Sequence, residues 1–155
     1  MFDFTTHTLA INDLLTRFFQ AFDDKNWSMM RDCLCDGVYA DYSSFRGVPA
    51  ATISADRYVE QRRTALEALD TQHAFVNLRV KLDAAGGTAS ARCDYFIHRY
   101  HPSFDGHKDY YFHSDGHYAF AFVNIDGPWR ISRITQNVRR NYGNPEIHGA
   151  TRTGS

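Results

Sequence analysis

At 155 residues with a formal charge of −1, the chain has the size of one domain and no overall field that would attract nucleic acid or an anionic membrane. Hydrophobic residues make up 43% and aromatic residues 15% of the chain, which is more ring surface than a small core usually needs. We therefore expect some of these rings to line a cavity.

Apolar side chains recur at helical spacing from Thr8 to Asp23, which predicts an amphipathic helix there. Asn26 is the predicted N-cap of a short second helix. Ser54 is the predicted N-cap of a third helix, in which Tyr58, Arg62, Leu66 and Leu69 share one face. Between these helices, residues 38–46 are rich in β-forming residues and precede a Gly-Val-Pro turn, so we expect a small strand or hairpin.

After Asp70 the apolar period becomes two, which predicts a strand with His73 on the face opposite Ala74, Val76 and Leu78. Gly86-Gly87 is the predicted turn into a strand over 88–100, and further strands are expected at about 110–124 and 129–140. Helices followed by a meander of strands predict an α+β fold. Residues 1–142 are interpreted as one domain, and residues 143–155, which lack periodicity, as a tail or an oligomer-contact arm.

The eight histidines raise the question of a metal site. His98 and His101 would point to opposite faces of a strand, and His113 and His117 would lie about 13 Å apart, too far for one ion. His101 and His107 fall in a loop and could still approach each other. Phosphate-binding loops and Cys-x-x-Cys pairs are missing, so we expect neither metal nor cofactor.

Three cysteines are an odd, sparse set, and the amino terminus lacks the basic flank and apolar run of a signal peptide. No stretch approaches the ~18 apolar residues of a membrane span. These features predict a cytoplasmic protein without membrane contact.

Several segments carry a family resemblance, in this order: Phe22-Asp23-Asp24-Lys25-Asn26-Trp27, Ala40-Asp41-Tyr42-Ser43-Ser44-Phe45, Thr71-Gln72-His73 and Asp126-Gly127-Pro128-Trp129. Over residues 10–140 the chain resembles scytalone dehydratase and the wider SnoaL-like, nuclear-transport-factor-like superfamily. That superfamily also holds polyketide cyclases, ketosteroid isomerases and a dehydrochlorinase. The resemblance implies a cone-shaped α+β barrel, in which three N-terminal helices pack on a strongly curved, mainly antiparallel sheet around a pocket.

The same resemblance implies roles for individual residues. Asp23 matches the buried carboxylate, His73 and His98 the two catalytic imidazoles, and Tyr42 the phenol that polarises a substrate carbonyl. Phe22 stands where the family has a tyrosine, and Tyr118 where it has a pocket asparagine. The expected substrate-binding residues are Phe22, Phe45, Phe96, Tyr118 and Ile134.

The implied function is a cofactor-independent lyase of the dehydratase type, acting on a small, apolar, cyclic ketone of aromatic, polyketide-like or steroid-like structure. Removing a proton next to a carbonyl needs a base, a donor at the developing enolate and an acid for the departing group, and histidines suit the first and last tasks. A polyketide cyclase or isomerase with the same Asp-His site is an alternative. A non-catalytic binding protein or a partner like the small subunit of ring-hydroxylating dioxygenases is another.

Family members assemble through the outer sheet face. Ala119, Ala121 and Val123 are apolar residues of exposed parity in this region, so the sequence predicts a homo-oligomer, either a trimer or a dimer.

Overall fold

A computed structural model describes residues 3–83, 85, 87–124 and 126–149 of the chain. Gly86 of the predicted turn and residues 150–155 of the predicted tail lie outside the described residues. The helices are α1 (Phe4–Asp23), α2 (Trp27–Asp32), α3 (Ser43–Arg46) and α4 (Ala55–Leu66). The strands are β1 (Leu34–Asp41), β2 (Ala51–Ser54), β3 (Asp70–Leu82), β4 (Thr88–Tyr100), β5 (Phe112–Val123) and β6 (Arg130–Gly143).

All six strands form one curved, unclosed sheet in the order β2-β1-β6-β5-β4-β3. Every neighbouring pair is antiparallel except β1 and β6. Buried side chains of α1, α2 and α4 form one core with the inner face of this sheet. The predicted α+β cone with a mainly antiparallel sheet is therefore confirmed.

The predicted helix starts are confirmed at two caps, and the first helix is longer than predicted. The side chain of Asn26 accepts a hydrogen bond from the third residue of α2, and that of Ser54 does the same for α4. Asp3 caps α1 by accepting from the backbone N–H groups of Thr5 and Thr6, so α1 begins four residues before the predicted Thr8.

The expectation of a strand or hairpin over 38–46 is partly wrong. Strand β1 ends at Asp41 and pairs with β2, whereas Ser43–Arg46 forms the short helix α3. The Asp41 side chain accepts hydrogen bonds from both the backbone N–H and the hydroxyl of Ser43, which starts a turn. Gly47 ends this turn with a φ of 69°, a left-handed conformation that favours glycine.

A bulge in β3 changes which side chains face inward. Asn77 has a φ of 56°, and the pairing with β4 shifts its register after Val76. Before the bulge, His73 faces the interior; after it, Leu78 packs against the core as well. The prediction that His73 and Leu78 lie on opposite faces is wrong, because the extra residue inverts the alternation.

Residues 144–149 pack against the domain. After β6 the chain makes a short 3-10 turn at Pro145–Ile147, and His148 is only 2% exposed. Gly149 lies so close to α4 that a Cβ atom there would be 3.0 Å from the carbonyl oxygen of Thr64. The start of the predicted tail therefore covers one end of the cone. Among the described residues, no helix has the length and apolar character needed to cross a bilayer.

Candidate active site

Asp23 and His73 form a hydrogen-bonded pair at the end of α1. Nδ1 of His73 lies 2.7 Å from Oδ1 of Asp23, and the backbone N–H of His73 donates to Oδ2 at 2.9 Å. The His73 side chain is 2% exposed and that of Asp23 is 23% exposed. Because Nδ1 faces the carboxylate, Nε2 is the nitrogen available to a ligand.

Thr71 and Lys25 complete the surroundings of Asp23. The Thr71 hydroxyl donates to Oδ1 at 3.0 Å. The Lys25 ammonium donates to that same hydroxyl at 3.1 Å, which leaves the hydroxyl proton free to point at Asp23. Asp23 thus accepts from three donors on β3 and cannot rotate without losing them.

The surroundings of His73 favour a neutral imidazole. Burial lowers the pKa of His73 below its ordinary value of 6.5, opposed by the hydrogen bond and the charge of Asp23, while Arg99 adds to the lowering. The ring of Phe22 stacks on the imidazole with centroids 4.4 Å apart. A neutral ring with its proton on Nδ1 presents a basic Nε2, which is the form that a general base requires.

His73 lines a small internal cavity of about 20 Å³. A cavity of this volume holds about one water molecule. A wider cleft of about 230 Å³ lies beside it and shares Tyr42, Arg46 and Arg62 with the cavity wall. The two spaces therefore meet at these three side chains.

Four of the predicted site residues line the cavity together with His73. Asp23 does not line the cavity and is connected to it through the imidazole of His73. The four are Phe22, Tyr42, Phe45 and Tyr118. The hydroxyl of Tyr118 accepts a hydrogen bond from Nε2 of Gln136 at 2.9 Å, which leaves its own proton free to donate. Ile134 is fully buried in the core, on the inner face as expected, but it is not part of the cavity wall.

His98 and Phe96 lie on the outer face of the sheet, so the prediction that they belong to the pocket is wrong. In the β3–β4 register His73 pairs with Ile97, and His98 pairs with Gln72. Directly paired residues share a face and neighbours alternate, so His98 faces away from His73. Phe96 is 46% exposed, and His98 is exposed and stacks on His113 with centroids 4.3 Å apart. Matching the family's residues by their order in the sequence leaves an uncertainty of one residue in β4. A shift of one residue moves a side chain to the other face of the strand.

Arg99 occupies the inward position that His98 was expected to fill. Its side chain is buried, and its Nη1 donates to the hydroxyl of Ser114 at 2.9 Å. The rings of Phe45 and Phe112 lie 5.3 and 5.2 Å from its guanidinium carbon. Sequence reasoning missed Arg99 because the face of β4 was assigned from His98.

Arg62 is a second buried arginine at the cavity. Its guanidinium carbon lies 4.4 Å from the ring centre of Tyr42 and 4.6 Å from that of Tyr58. The hydroxyls of these two tyrosines are 2.5 Å apart. The sequence contained a signal for Arg62, because this residue falls on the predicted apolar face of α4. A charged residue on such a face indicates a buried partner or a function. Arg46 and His148 complete the polar wall and were not predicted.

Groups of three or more His, Cys, Asp or Glu side chains that could hold a metal ion are not found among the described residues.

Comparisons with solved structures place the chain among known folds. Kfla4162 from Kribbella flavida matches with a TM-score of 0.83 and 22% identity, covering 96% of this chain and 99% of its own. A hexachlorocyclohexane dehydrochlorinase, LinA type 2, matches with a TM-score of 0.74 and 14% identity, covering 93% of each chain. A candidate scytalone dehydratase from Novosphingobium aromaticivorans matches with a TM-score of 0.71 and 15% identity, covering 91% and 93%. At these identities the likeness shows a shared fold.

No curated protein matches this chain by sequence. The sequence model of the SnoaL-like domain matches residues 5–135, which include α1 except for its first residue, α2 to α4 and the first part of β6. The chain therefore belongs to the SnoaL-like domain family, whose fold it shares.

Proposed function

We propose that this protein is a cofactor-independent enzyme that removes a proton from the carbon next to the carbonyl of a small cyclic ketone, with His73 as the base. The observation that carries the proposal is the 2.7 Å contact between Nδ1 of His73 and Asp23 beside a small cavity. This arrangement fixes the tautomer of the ring and directs Nε2 at the ligand. Aspartate-oriented imidazoles act as general bases in other enzymes.

In the first step, Nε2 of His73 takes the proton and the substrate becomes an enolate. Asp23 stabilises the imidazolium that forms, because its carboxylate already accepts the Nδ1 proton. The enolate oxygen needs donors, and the hydroxyls of Tyr42 and Tyr118 and the guanidinium of Arg99 line the same cavity. Burial raises the pKa of Tyr118 well above its ordinary value, so this phenol keeps its proton for donation.

The second step follows from the position of His98. With that ring on the outer face, the imidazolium of His73 is the acid that serves the departing group. It returns the proton to a hydroxyl on the same face of the ring; water leaves and a carbon–carbon double bond forms. In a lyase this makes the elimination syn. In an isomerase the same imidazolium returns the proton to another carbon.

Access to the cavity requires movement. Ligand sites usually enclose roughly 300–1,000 Å³, far more than the space of about 20 Å³ seen beside His73. The neighbouring cleft of about 230 Å³ is separated from it by Tyr42, Arg46 and Arg62. We propose that these side chains and the covering segment 144–149 shift when the substrate binds.

The test is hydrogen exchange in D₂O with cyclohexenone and tetralone, followed by proton NMR. Exchange next to the carbonyl is expected to be faster with wild-type protein than in buffer, and His73→Gln should lower the enzymatic rate by about 100-fold or more. His98→Gln is the matched control and should leave the rate unchanged. If both histidine variants lost activity equally, the assignment of His73 as the sole base would be wrong.

A non-catalytic small-molecule-binding protein is the second candidate. It is favoured by the state of His148, the other imidazole that lines the cavity. Burial and the arginines lower the pKa of His148 to about 2, so it does not supply the second proton carrier that a two-histidine dehydratase needs. Under this alternative, ligands bind equally to wild type and His73→Gln, and neither protein accelerates exchange.

A further inference from the structure

Three arginines surround the internal cavity without a carboxylate partner among the residues that the structure describes. Arg62 is 3% exposed and Arg99 is 2% exposed, while Arg46 is partly buried. All three line the same space of about 20 Å³. A cavity this small brings three positive charges close together.

Nitrogen atoms of all three guanidinium groups lack hydrogen-bond partners within the described part of the chain. They are Nε of Arg46, Nε and Nη1 of Arg62, and Nε of Arg99. The acceptors within reach of Arg62 are neutral: the side-chain oxygen of Gln61 at 3.3 Å and the hydroxyls of Tyr42 and Tyr58. Arg99 reaches the Ser114 hydroxyl at 2.9 Å and the carbonyl of Phe112 at 3.4 Å. The remaining stabilisation comes from aromatic faces.

Two arginines nearer the surface of the same protein are paired with acids. Arg31 contacts the carboxylates of Asp36 and Asp56, and Arg140 contacts Asp115. The usual preference is the reverse, since a buried charge needs a partner far more than an exposed one does. Asp23, the carboxylate nearest to the cavity through His73, is already occupied by donors from β3.

Neighbouring groups cannot neutralise this charge. Burial lowers the pKa of Arg46 and of Arg99 to about 10, so both remain cationic at neutral pH. Burial, together with Arg99, Arg46 and Arg62, lowers the pKa of His148 to about 2. Burial also raises the pKa of Tyr58 and Tyr118 well above the ordinary value, so these phenols do not supply negative charge.

We infer that the ligand of this cavity is an organic anion, a cyclic ketone that carries a carboxylate or an equally acidic oxygen, bound by Arg62 and Arg99 with Arg46 at the mouth. Guanidinium groups bind planar carboxylates with two parallel hydrogen bonds. The N–H groups without a described partner here are donors that such an acceptor would satisfy. The inner space of about 20 Å³ must widen to take a carboxylate group, as the proposed shift of the covering side chains allows. The adjoining cleft, walled by Val48, Pro49 and Ile53, has room for an apolar ring.

This inference deepens the proposed function and rests on it in one respect, that the same ligand reacts at His73. It replaces the expected wholly apolar substrate by an amphipathic one. A negative group held beside Arg99 also brings the reacting carbon under the influence of a fixed cation, which favours the enolate.

Calorimetry with pairs of matched probes tests the inference at constant ionic strength. Formate is the smallest carboxylate probe for the inner cavity and formamide is its neutral counterpart; benzoate and benzamide are large enough to extend into the cleft. The carboxylates are expected to bind at least about 10-fold more tightly than the amides, since hydrogen bonds to charged groups are the stronger ones. Equal affinity within each pair, or no binding of either carboxylate, would overturn the inference.

Arg99→Met removes one buried cation and keeps the volume of the side chain. Benzoate affinity should fall by about 10- to 100-fold, while the melting temperature without ligand should stay the same or rise, because an unpaired buried charge is removed. Arg92→Gln is the matched control: Arg92 lies on the same strand but is exposed and lines neither the cavity nor the cleft, so its loss should change affinity little. A melting temperature that falls together with unchanged benzoate affinity would assign Arg99 a purely structural role.

His73→Gln separates this inference from the proposed function. If benzoate binds this variant and wild type equally well while neither tetralone nor a tetralone carboxylate undergoes exchange in wild type, the anion site stands and the catalytic proposal fails. If exchange occurs but carboxylates show no preference over amides, the catalytic proposal stands and the anion site is wrong.

Discussion

The Asp23→Asn substitution changes one atom of the carboxylate and is expected to move a proton within the His73 ring. In the native protein, Oδ2 of Asp23 accepts from the backbone N–H of His73 at 2.9 Å, and Oδ1 accepts from Nδ1 at 2.7 Å. The same backbone N–H also contacts Oδ1, at the longer distance of 3.1 Å. Because a backbone N–H can only donate, we expect the amide oxygen of the variant at the closer Oδ2 position. Its NH₂ group then faces Nδ1, which must become an acceptor. The ring proton moves to Nε2, where the base is needed.

The size of the effect follows from this tautomer change. With its proton on Nε2, His73 has no lone pair directed at the substrate, so general-base catalysis is lost. Such catalysis is worth about 100- to 10,000-fold, which corresponds to about 3 to 5 kcal/mol of activation free energy. KM should change little, because Asp23 contacts the ligand only through His73. The Thr71 hydroxyl can rotate to accept from the amide, so the local fold is expected to persist.

The assay compares hydrogen exchange next to the ketone carbonyl in wild type and variant, and nitrogen NMR of the His73 ring reports the tautomer. We expect slow exchange together with a protonated Nε2. Exchange within about threefold of wild type would remove Asp23 from the mechanism, since a lost general base costs far more. Slow exchange with the proton still on Nδ1 would refute the tautomer argument while leaving Asp23 important.

Two further predictions concern pH and assembly. The pKa of His148 is lowered by burial and by the cavity arginines to about 2. Its contribution to stability is therefore complete above the ordinary pKa of 6.5 and is lost as the pH falls. Thermal unfolding at pH 5 should show that the free energy of unfolding is lower by about 2 kcal/mol, and His148→Gln should abolish this loss. We also expect a homo-oligomer that uses the outer sheet face, where Val76 and Phe96 are 44% and 46% exposed. Light scattering should then give two or three times the chain mass of 17.8 kDa, Phe96→Ser should lower it, and a mass of 17.8 kDa for wild type would contradict assembly.

Local signals in the sequence were sufficient for most of the elements. Asn26 and Ser54 were predicted as caps because a short polar side chain before an apolar helical pattern satisfies free backbone N–H groups. The family resemblance placed Asp23 and His73 in one site, and their side chains do meet. The cap predictions depend on contacts between residues close in sequence, and the site prediction depends on segments that match the family without insertions.

Other features depend on contacts that sequence periodicity does not contain. The bulge at Asn77 inverts the faces of β3, although the apolar alternation from Ala74 to Leu82 continues through it without a visible break. The burial of His148 depends on the chain turning back after β6, and no apolar pattern marks that turn. Tertiary packing decides both outcomes, so neither could be read from residue spacing.

Adjacent positions on β4 decide what kind of chemistry the cavity can support. Because side chains alternate along a strand, β4 can direct either His98 or Arg99 inward, and its register with β3 directs Arg99 there. An inward His98 would have supplied a second proton carrier near neutral pH, whereas Arg99 supplies a cation that holds its proton. His148 also lines the cavity, but its pKa is lowered to about 2, so His73 is the imidazole that can carry a proton near neutral pH. One such imidazole with three guanidinium groups suits reactions in which a single base removes and returns one proton while negative charge is held throughout. Syn elimination and isomerisation of an anionic ketone both meet that condition, and a mechanism with separate acidic and basic imidazoles does not.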